Sequence, residues 1–261
     1  MKKILMLGLI ISLLLTACTQ TAPTTEEISE GQPTEEETVL ITSNKPAPPK
    51  YTSYVDGIDE ASIEIIKHEA SYEYDISDPF ELKKDTDHVF IGTIDSIDGA
   101  SNTIGTGSFT LIPRTYGKLT VLQEIMGSFD SDTITYAKYG GVISLADHEK
   151  DMPEDMRKND QLHRIASGQE NIDKEKTYYD FLMAEDIHLE AGKTYLFYGS
   201  FYEGTDIFLI KGQQYGTREV MEQASGNSSF RELPDTSRLS LKNNETGEYE
   251  SLDEYLRRYF N

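Results

Sequence analysis

This chain of 261 residues has no tryptophan, one cysteine and few long apolar runs. The shortage of cysteine and the shortage of apolar runs each exclude a class of structure. The single cysteine, Cys18, cannot form an internal disulfide, so the stability of the fold must come from core packing. Beyond residues 4–15, no stretch approaches the run of about 18 apolar residues that a transmembrane helix needs. We therefore predict a folded body without disulfides that does not itself cross a bilayer.

Positive charge is also in short supply. The chain has 24 lysine and arginine residues against 46 aspartate and glutamate residues, and its formal net charge is −22. Such a surface repels nucleic acid and anionic lipid headgroups. We therefore predict no nucleic-acid partner. Cations, basic polymers and basic proteins are compatible ligands, although solubility alone also explains the charge.

The first 18 residues have the layout of an export signal. Lys2 and Lys3 precede an apolar run over residues 4–15, and small residues then lead to Cys18. This order predicts a secretory signal peptide over residues 1–17. A helix over residues 4–17 would be only about 21 Å long, short of the roughly 30 Å hydrocarbon core. That length argues against a permanent membrane span.

The end of this segment, Leu15-Thr16-Ala17-Cys18, resembles the lipobox of bacterial lipoproteins. The resemblance implies that Cys18 receives a diacylglyceryl group and becomes the mature N-terminus. Two or three acyl chains on one cysteine hold a protein firmly at a membrane, whereas one chain does not. We therefore expect a lipid anchor at Cys18 and a body on the extracytoplasmic face of the cell membrane.

Residues 18–50 are rich in threonine, glutamate and proline. They contain too little apolar surface to offset the entropy of ordering, so we predict a disordered tether with a reach of roughly 30 Å. Residues 39–41, a short apolar run, could instead add a strand to the folded domain.

From residue 51 onward, short apolar runs alternate with turns. Asp78, Pro79 and Glu81 form the pattern of a helix start, so we predict a short helix that ends before Asp87. Strands are predicted over residues 89–94, 109–112, 118–125, 133–139, 178–184, 194–202 and 206–210. One face of the third strand should carry Leu119, Val121 and Ile125. This spacing of strands favours a mainly β fold, an antiparallel barrel or sandwich.

Two regions depart from the strand pattern. Residues 147–171 are polar and of mixed charge, which predicts a long excursion that could include one helical turn. Ser251 opens a capping box, which predicts a C-terminal helix packed on the barrel. The apolar stripe of this helix consists of Leu252, Tyr255, Leu256 and Tyr259.

The predicted organisation is an extension with a short helix over 51–86, a β-barrel domain over 87–235, and a C-terminal hairpin and helix over 236–261.

Four segments in this order resemble a known family: residues 87–94, 121–128, 134–141 and 190–197. They are similar to small Gram-positive lipoproteins with an OB-like barrel of the netrin/TIMP type. The resemblance covers roughly residues 87–212, and Met126 departs from it because a lysine is usual there. TIMP proteins inhibit metalloproteinases through a free N-terminal cysteine. Cys18 would be acylated and lies more than 60 residues before the first barrel strand, so that activity is not implied.

No catalytic motif is present in the sequence. Ser108 lies in a glycine-rich turn rather than a nucleophile elbow. His148 and His163 lack the spacing of metal ligands, and we interpret both as residues of a solvated loop. We therefore predict no catalytic residue, no cofactor and no metal ligand.

Acidic clusters leave two alternatives open. Residues 147–155 could form a weak calcium site from Asp147, Glu149, Asp151, Glu154 and Asp155. Two groups of carboxylates are close in sequence, Asp56 with Asp59 and Glu60, and Asp95 with Asp98. Folding could bring such carboxylates together as an acid and a base.

The leading functional hypothesis is a lipid-anchored, non-catalytic binding module whose partner is a protein, a cation or a cell-wall polymer. The first alternative is an extracytoplasmic hydrolase whose carboxylates meet only in the fold. The second is a substrate-binding lipoprotein of a transporter, although such proteins usually need two lobes with long helices.

Overall fold

The computed structural model describes residues 52–105 and 107–261. Of these residues 38% are in strands and 19% in helices, so the fold is mainly β as predicted. The predicted signal peptide, Cys18 and the tether over residues 18–50 lie outside the described residues. No helix in the described part of the chain is long and apolar enough to span a membrane.

The described strands are β1 (Thr52–Ser53), β2 (Ile63–His68), β3 (His88–Ser101), β4 (Arg114–Met126), β5 (Thr133–Tyr139), β6 (Gly141–Ser144), β7 (Tyr178–Met183), β8 (Thr194–Phe201), β9 (Ile207–Ile210), β10 (Thr217–Glu222), β11 (Leu239–Lys242) and β12 (Tyr249–Ser251). The α-helices are α1 (Pro79–Lys84), α2 (Leu145–Lys150), α3 (Glu154–Ala166) and α4 (Leu252–Tyr259).

Nine strands form one sheet in the order β1-β3-β4-β5-β9-β8-β10-β11-β12. Strand β3 also pairs with β8, so the pairings of β3, β4, β5, β9 and β8 return to their starting strand. Within this ring β5 and β9 are parallel, whereas the other four pairs are antiparallel. A second sheet has the order β2-β7-β6.

The two faces of β3 and β8 build two separate cores. Phe90 of β3 and Phe197 of β8 belong to a core that also contains Leu119, Tyr136 and Phe208 from the other strands of the ring. The neighbouring residues of β3 and β8 point to the opposite face, as the period of two requires. They form a second core with α1, α4, β10 and β11, whose members include Val89, Ile91, Leu196, Tyr198, Leu82, Val220, Leu241, Leu252 and Tyr255.

Both helices predicted from capping patterns are confirmed. Helix α1 begins at Pro79, and Asp78 caps it by accepting a hydrogen bond from the backbone N–H of Phe80. Helix α4 begins after Ser251, whose hydroxyl accepts from the backbone N–H of Glu254. The apolar stripe of α4 packs on the second core, as the period of the helix predicts.

Six of the seven predicted strands are present, but residues 109–112 form no strand. The shared face predicted for Leu119, Val121 and Ile125 is also wrong. Leu119 and Val121 contact the core of the ring, whereas Ile125 packs on the second core. The register between β3 and β4 shifts twice along this stretch, so β4 has extra residues opposite β3. A bulge of this kind reverses the alternation of faces.

The predicted excursion contains more helix than one turn. Its described residues include most of α2 and all 13 residues of α3. Helix α3 buries only Arg164, which explains why its sequence has no apolar face that would identify a helix. Sequence reasoning also missed β2 and β6, two of the three strands of the small sheet.

Candidate functional site

A groove follows the described N-terminal segment, where it meets β3, β4 and the small sheet. Two adjoining cavities of about 440 and 500 Å³ form this groove, and both are lined by Tyr54, Ile58 and Val142. We refer to the two cavities together as the Tyr54 cleft. Their volumes fall within the roughly 300–1,000 Å³ that is typical of small-molecule sites.

Tyr54 is held in place by backbone hydrogen bonds at both ends. Its N–H donates to the carbonyl of Ile97 over 3.0 Å, which continues the short parallel pairing of β1 with β3. Its hydroxyl donates to the carbonyl of Val142 over 2.6 Å and accepts from the N–H of Val142 over 3.0 Å. Burial raises the pKa of this hydroxyl, so it remains a hydrogen-bond donor. Tyr54 thus connects the large sheet to β6 of the small sheet.

Two glycines create the wall that Tyr54 contacts. Gly140 and Gly141 have φ angles of +90° and +135°, and there the chain leaves β5 in the large sheet and enters β6 in the small one. A Cβ at Gly140 would lie 2.6 Å from the carbonyl oxygen of Phe181. Glycine is therefore required by both the backbone conformation and the available space.

The lining of the Tyr54 cleft is strongly acidic. Within the described residues, six of its carboxylates form no ion pair with a lysine, arginine or histidine, and four of these line one cavity together with Lys150, Tyr116 and Tyr178. The six unpaired carboxylates are those of Asp56, Glu60, Asp98, Asp147, Asp151 and Glu175. Carboxylates that face one cavity without ion-pair partners produce a negative potential that the low-dielectric walls concentrate.

A seventh carboxylate lies deeper, on β7. Asp180 is 8% exposed, and its Oδ2 is 3.0 Å from Nε2 of His188, whose side chain is half exposed. The other oxygen, Oδ1, is buried and accepts no hydrogen bond from a described residue. A buried carboxylate oxygen without a donor costs free energy, and a ligand in the cleft could reach this atom only after a local movement of the wall.

The five residues of the predicted acidic cluster do not meet at one point. Asp147 and Asp151 line the cleft, and Asp147 also accepts a hydrogen bond from Ser144 over 2.8 Å. Glu149 points away from them into the protein, where Arg164 Nη2 lies 2.5 Å and Lys174 Nζ 2.6 Å from its carboxylate. Glu154 pairs with Lys158 on α3. In the described part of the chain, no group of three potential ligands could hold a metal ion.

The interpretation of His148 as a loop residue is wrong. His148 is 5% exposed on α2, and its Nδ1 lies 3.1 Å from Oδ1 of Asn102. Its ring packs on Phe181, with 4.9 Å between the ring centroids. Burial, with a smaller contribution from Arg164, lowers the pKa of His148 from 6.5 to about 4, although the charge of Glu149 opposes the change. His148 is therefore a neutral core residue that fixes α2 beside the cleft. The other histidine of the pair, His163, is exposed on α3.

The predicted carboxylate groups are divided by the fold. Asp56 and Glu60 line the cleft, whereas Asp59 caps the 3-10 turn that follows it. Asp98 lines the cleft, whereas Asp95 accepts a hydrogen bond from Thr120 over 2.7 Å. Burial raises the pKa of Asp95, and the Thr120 hydroxyl partly offsets this rise. Ser108 lies in the connection between β3 and β4, as expected for a turn residue.

Sequence reasoning missed the residues that organise the cleft, namely Tyr54, Asp180 and His188. One signal was available in the sequence. Gly140 and Gly141 follow the predicted strand over residues 133–139, and a pair of glycines at a strand end indicates a turn that can bring distant segments together. No protein-family model matches the chain, and no curated protein or solved structure is similar to it.

Proposed function

We propose that this chain is a lipid-anchored, non-catalytic binding module that holds an organic polycation in the Tyr54 cleft. The observation that carries the proposal is the set of six carboxylates that line the cleft without an ion-pair partner among the described residues. Two adjoining cavities with acidic walls suit an elongated ligand with several positive charges, because each cavity offers its own carboxylates. The tyrosine rings beside them add cation–π attraction.

The lipobox resemblance at Leu15-Thr16-Ala17-Cys18 supports the anchored location. In this proposal the acylated Cys18 holds the protein on the extracytoplasmic face of the cell membrane, and residues 19–50 form the tether. The described body begins at Thr52, two residues before Tyr54 of the cleft. The negative net charge would keep the body away from anionic lipid headgroups.

We also propose that the ring of five strands is an OB-type barrel, as in the netrin/TIMP-like lipoproteins of Gram-positive bacteria. Five strands whose pairings return to the first strand support this assignment, because the OB fold is a five-stranded barrel. The segments that carry the resemblance contribute to β3, β4, β5 and β8 of that ring.

Polycation binding is tested by calorimetric titration of the full chain with spermine. The triple variant Asp98→Asn/Asp151→Asn/Glu175→Gln should lower the affinity for spermine by about tenfold or more, because three carboxylates no longer attract the ligand. The matched control Asp130→Asn/Asp206→Asn/Glu203→Gln removes the same charge elsewhere on the surface and should bind almost as the parent does. Equal losses in the two variants would contradict a defined site.

The anchor is tested separately by detergent phase partition of cells that express the full chain. The parent should partition with the detergent, and Cys18→Ser should move to the aqueous phase because no thiol remains for acylation. Thr19→Ser changes the neighbouring residue and should behave as the parent does. Detergent partition of Cys18→Ser would contradict the anchor without affecting the spermine result.

A hydrolase is the second candidate, and the pair of Asp180 with His188 favours it. An aspartate that orients a histidine is the arrangement of a general base, and this histidine is half exposed. Turnover of an ester or amide substrate that His188→Ala abolishes and His163→Ala preserves would support an enzyme. Spermine binding without any turnover would support the binding module.

A further inference from the structure

A second cavity, distinct from the Tyr54 cleft, lies where four strands end. Strands β2 and β7 are parallel to each other, and so are β5 and β9. The residues at and just after the carboxyl ends of these strands surround a cavity of about 360 Å³ with mainly apolar walls. We name it the Tyr72 cavity, and its lining includes Tyr72, Tyr139, Lys138, Asp186, Lys211 and Gln213.

The charges of the Tyr72 cavity are paired with one another. Lys138 forms an ion pair with Asp186, and the side chains of both residues are buried. The Lys138 ammonium also donates to the carbonyl of Ile187 over 3.1 Å. Lys211 Nζ lies 3.2 Å from Oδ2 of Asp85 on the same cavity wall. A wall whose charges already have partners attracts neither a cation nor an anion, so the matching ligand is neutral.

Two tyrosine rings provide flat surfaces for such a ligand. Tyr72 and Tyr139 are 40% and 41% exposed, which is unusual for large side chains that line a cavity. Arg114, which is 2% exposed, fixes Tyr139 from behind. Its guanidinium lies 4.5 Å from the centre of the Tyr139 ring, and its Nη2 donates to the Tyr139 hydroxyl over 3.0 Å. The Tyr139 ring is therefore held in place before any ligand arrives.

Polar groups converge on the same space as the rings. Burial raises the pKa of Tyr72, with smaller contributions from Asp186 and Tyr139, and the Gln213 side chain acts in the opposite direction. Tyr72, Asp186 and Gln213 all line this cavity, so their polar groups face the same space as the two rings. Gln213 also has a φ of +49°, a left-handed conformation that costs energy in a residue with a side chain.

We propose that the Tyr72 cavity binds a neutral saccharide. A sugar ring has one face of C–H groups, which the negative face of a tyrosine ring attracts, and an edge of hydroxyls. Tyr72 and Tyr139 receive the C–H face, and the amide of Gln213 with the tyrosine hydroxyls bonds the edge. A largely apolar cavity with a few convergent polar groups is the usual form of a small-molecule site.

Two trisaccharides of the same backbone separate this proposal from the Tyr54 cleft. Triacetylchitotriose is neutral, whereas chitotriose, its deacetylated form, carries amino groups that are mostly protonated in mildly acidic solution, where both titrations are made. Calorimetric titration of the full chain with triacetylchitotriose should show binding. Tyr72→Ala should weaken this binding by about tenfold, and Tyr72→Phe should weaken it less because the ring remains.

Tyr249→Ala is the matched control, because Tyr249 is 41% exposed and lines neither cavity. It should bind triacetylchitotriose as the parent does, and circular dichroism should show all variants folded. The triple carboxylate variant of the Tyr54 cleft should lose affinity for chitotriose and keep that for triacetylchitotriose. No binding of the neutral sugar, or equal binding by Tyr72→Ala and the parent, would overturn the saccharide site and leave the polycation proposal intact.

Discussion

In the Tyr54 cleft six carboxylates have no ion-pair partner among the described residues, whereas in the Tyr72 cavity each lysine is paired with an aspartate. Both regions are lined by tyrosines and both lie beside the small sheet. The two regions differ in whether their charged side chains have ion-pair partners within the protein. Charges that are paired inside the protein satisfy each other and are not free for a ligand, whereas charges that face a cleft without an ion-pair partner remain available to one. On this comparison Lys138 has a structural role, and Asp98 is one of the carboxylates that we propose for cation binding.

The largest expected effect is a loss of stability when the buried pair of the Tyr72 cavity is broken. Lys138→Met leaves the buried carboxylate of Asp186 without its cation, which should lower the free energy of unfolding by about 3–5 kcal/mol. Chemical denaturation monitored by circular dichroism measures the change. The control is Lys150→Met in the Tyr54 cleft, an exposed position where we expect a change within about 0.5 kcal/mol. Similar losses in both variants would contradict the distinction between the two regions.

A smaller and pH-dependent effect is expected at His148, which fixes α2 at the wall of the Tyr54 cleft. The unfolded chain binds a proton at the ordinary pKa of 6.5, whereas the folded chain binds it only near 4. Because the unfolded state binds more protons between these values, the stabilisation is complete above pH 6.5. It is lost as the pH falls from 6.5 through about 4, by about 3 kcal/mol in total.

Unfolding measured from pH 7.5 to pH 4.5 tests this expectation. The free energy of unfolding of His148→Gln should depend less on pH than that of the parent, because no proton is taken up at this position. His163→Gln alters an exposed histidine and should follow the parent. If His148→Gln and the parent had the same pH dependence, His148 would not be the buried neutral group described here.

The smallest expected effect is the response of the two regions to salt. At an ionic strength of 0.15 M the Debye length is about 8 Å, so interactions between exposed charges are strongly screened. Raising the salt concentration should weaken spermine binding to the Tyr54 cleft and leave triacetylchitotriose binding nearly unchanged. Calorimetric titrations at low and high salt make the comparison. A neutral sugar whose affinity fell as steeply as that of spermine would contradict the neutral character of the Tyr72 cavity.

Local patterns predicted the local structure of this chain well. The capping residues Asp78 and Ser251 identified helices α1 and α4, because a cap and the turn it begins are adjacent in sequence. Strand β5 was predicted with its observed bounds, Thr133–Tyr139, because polar and apolar residues alternate over its first half and two glycines follow its end. In these cases the information that determines the structure lies within a few residues.

The predictions failed where distant residues determine the structure. Ile125 changes faces because the pairing of β4 with β3 contains bulges, which a single strand does not reveal. His148 is buried by Asn102 and Phe181, which lie 46 and 33 positions away in the sequence. Arg164 attaches α3 through Glu149, and no apolar stripe marks that contact. The Tyr54 cleft is likewise assembled from segments that lie far apart, so spacing alone did not predict it.

The most direct test of the account is to locate bound spermine by two-dimensional NMR of the isotope-labelled full chain. We predict that the amide signals that shift most on titration belong to residues around Tyr54, including Asp98, Ser144 and Asp151. Signals around Tyr72 and Gln213 should stay in place at the same spermine concentration. Shifts spread evenly over the acidic surface, or confined to the surroundings of Tyr72, would contradict the assignment of the cleft as the cation site.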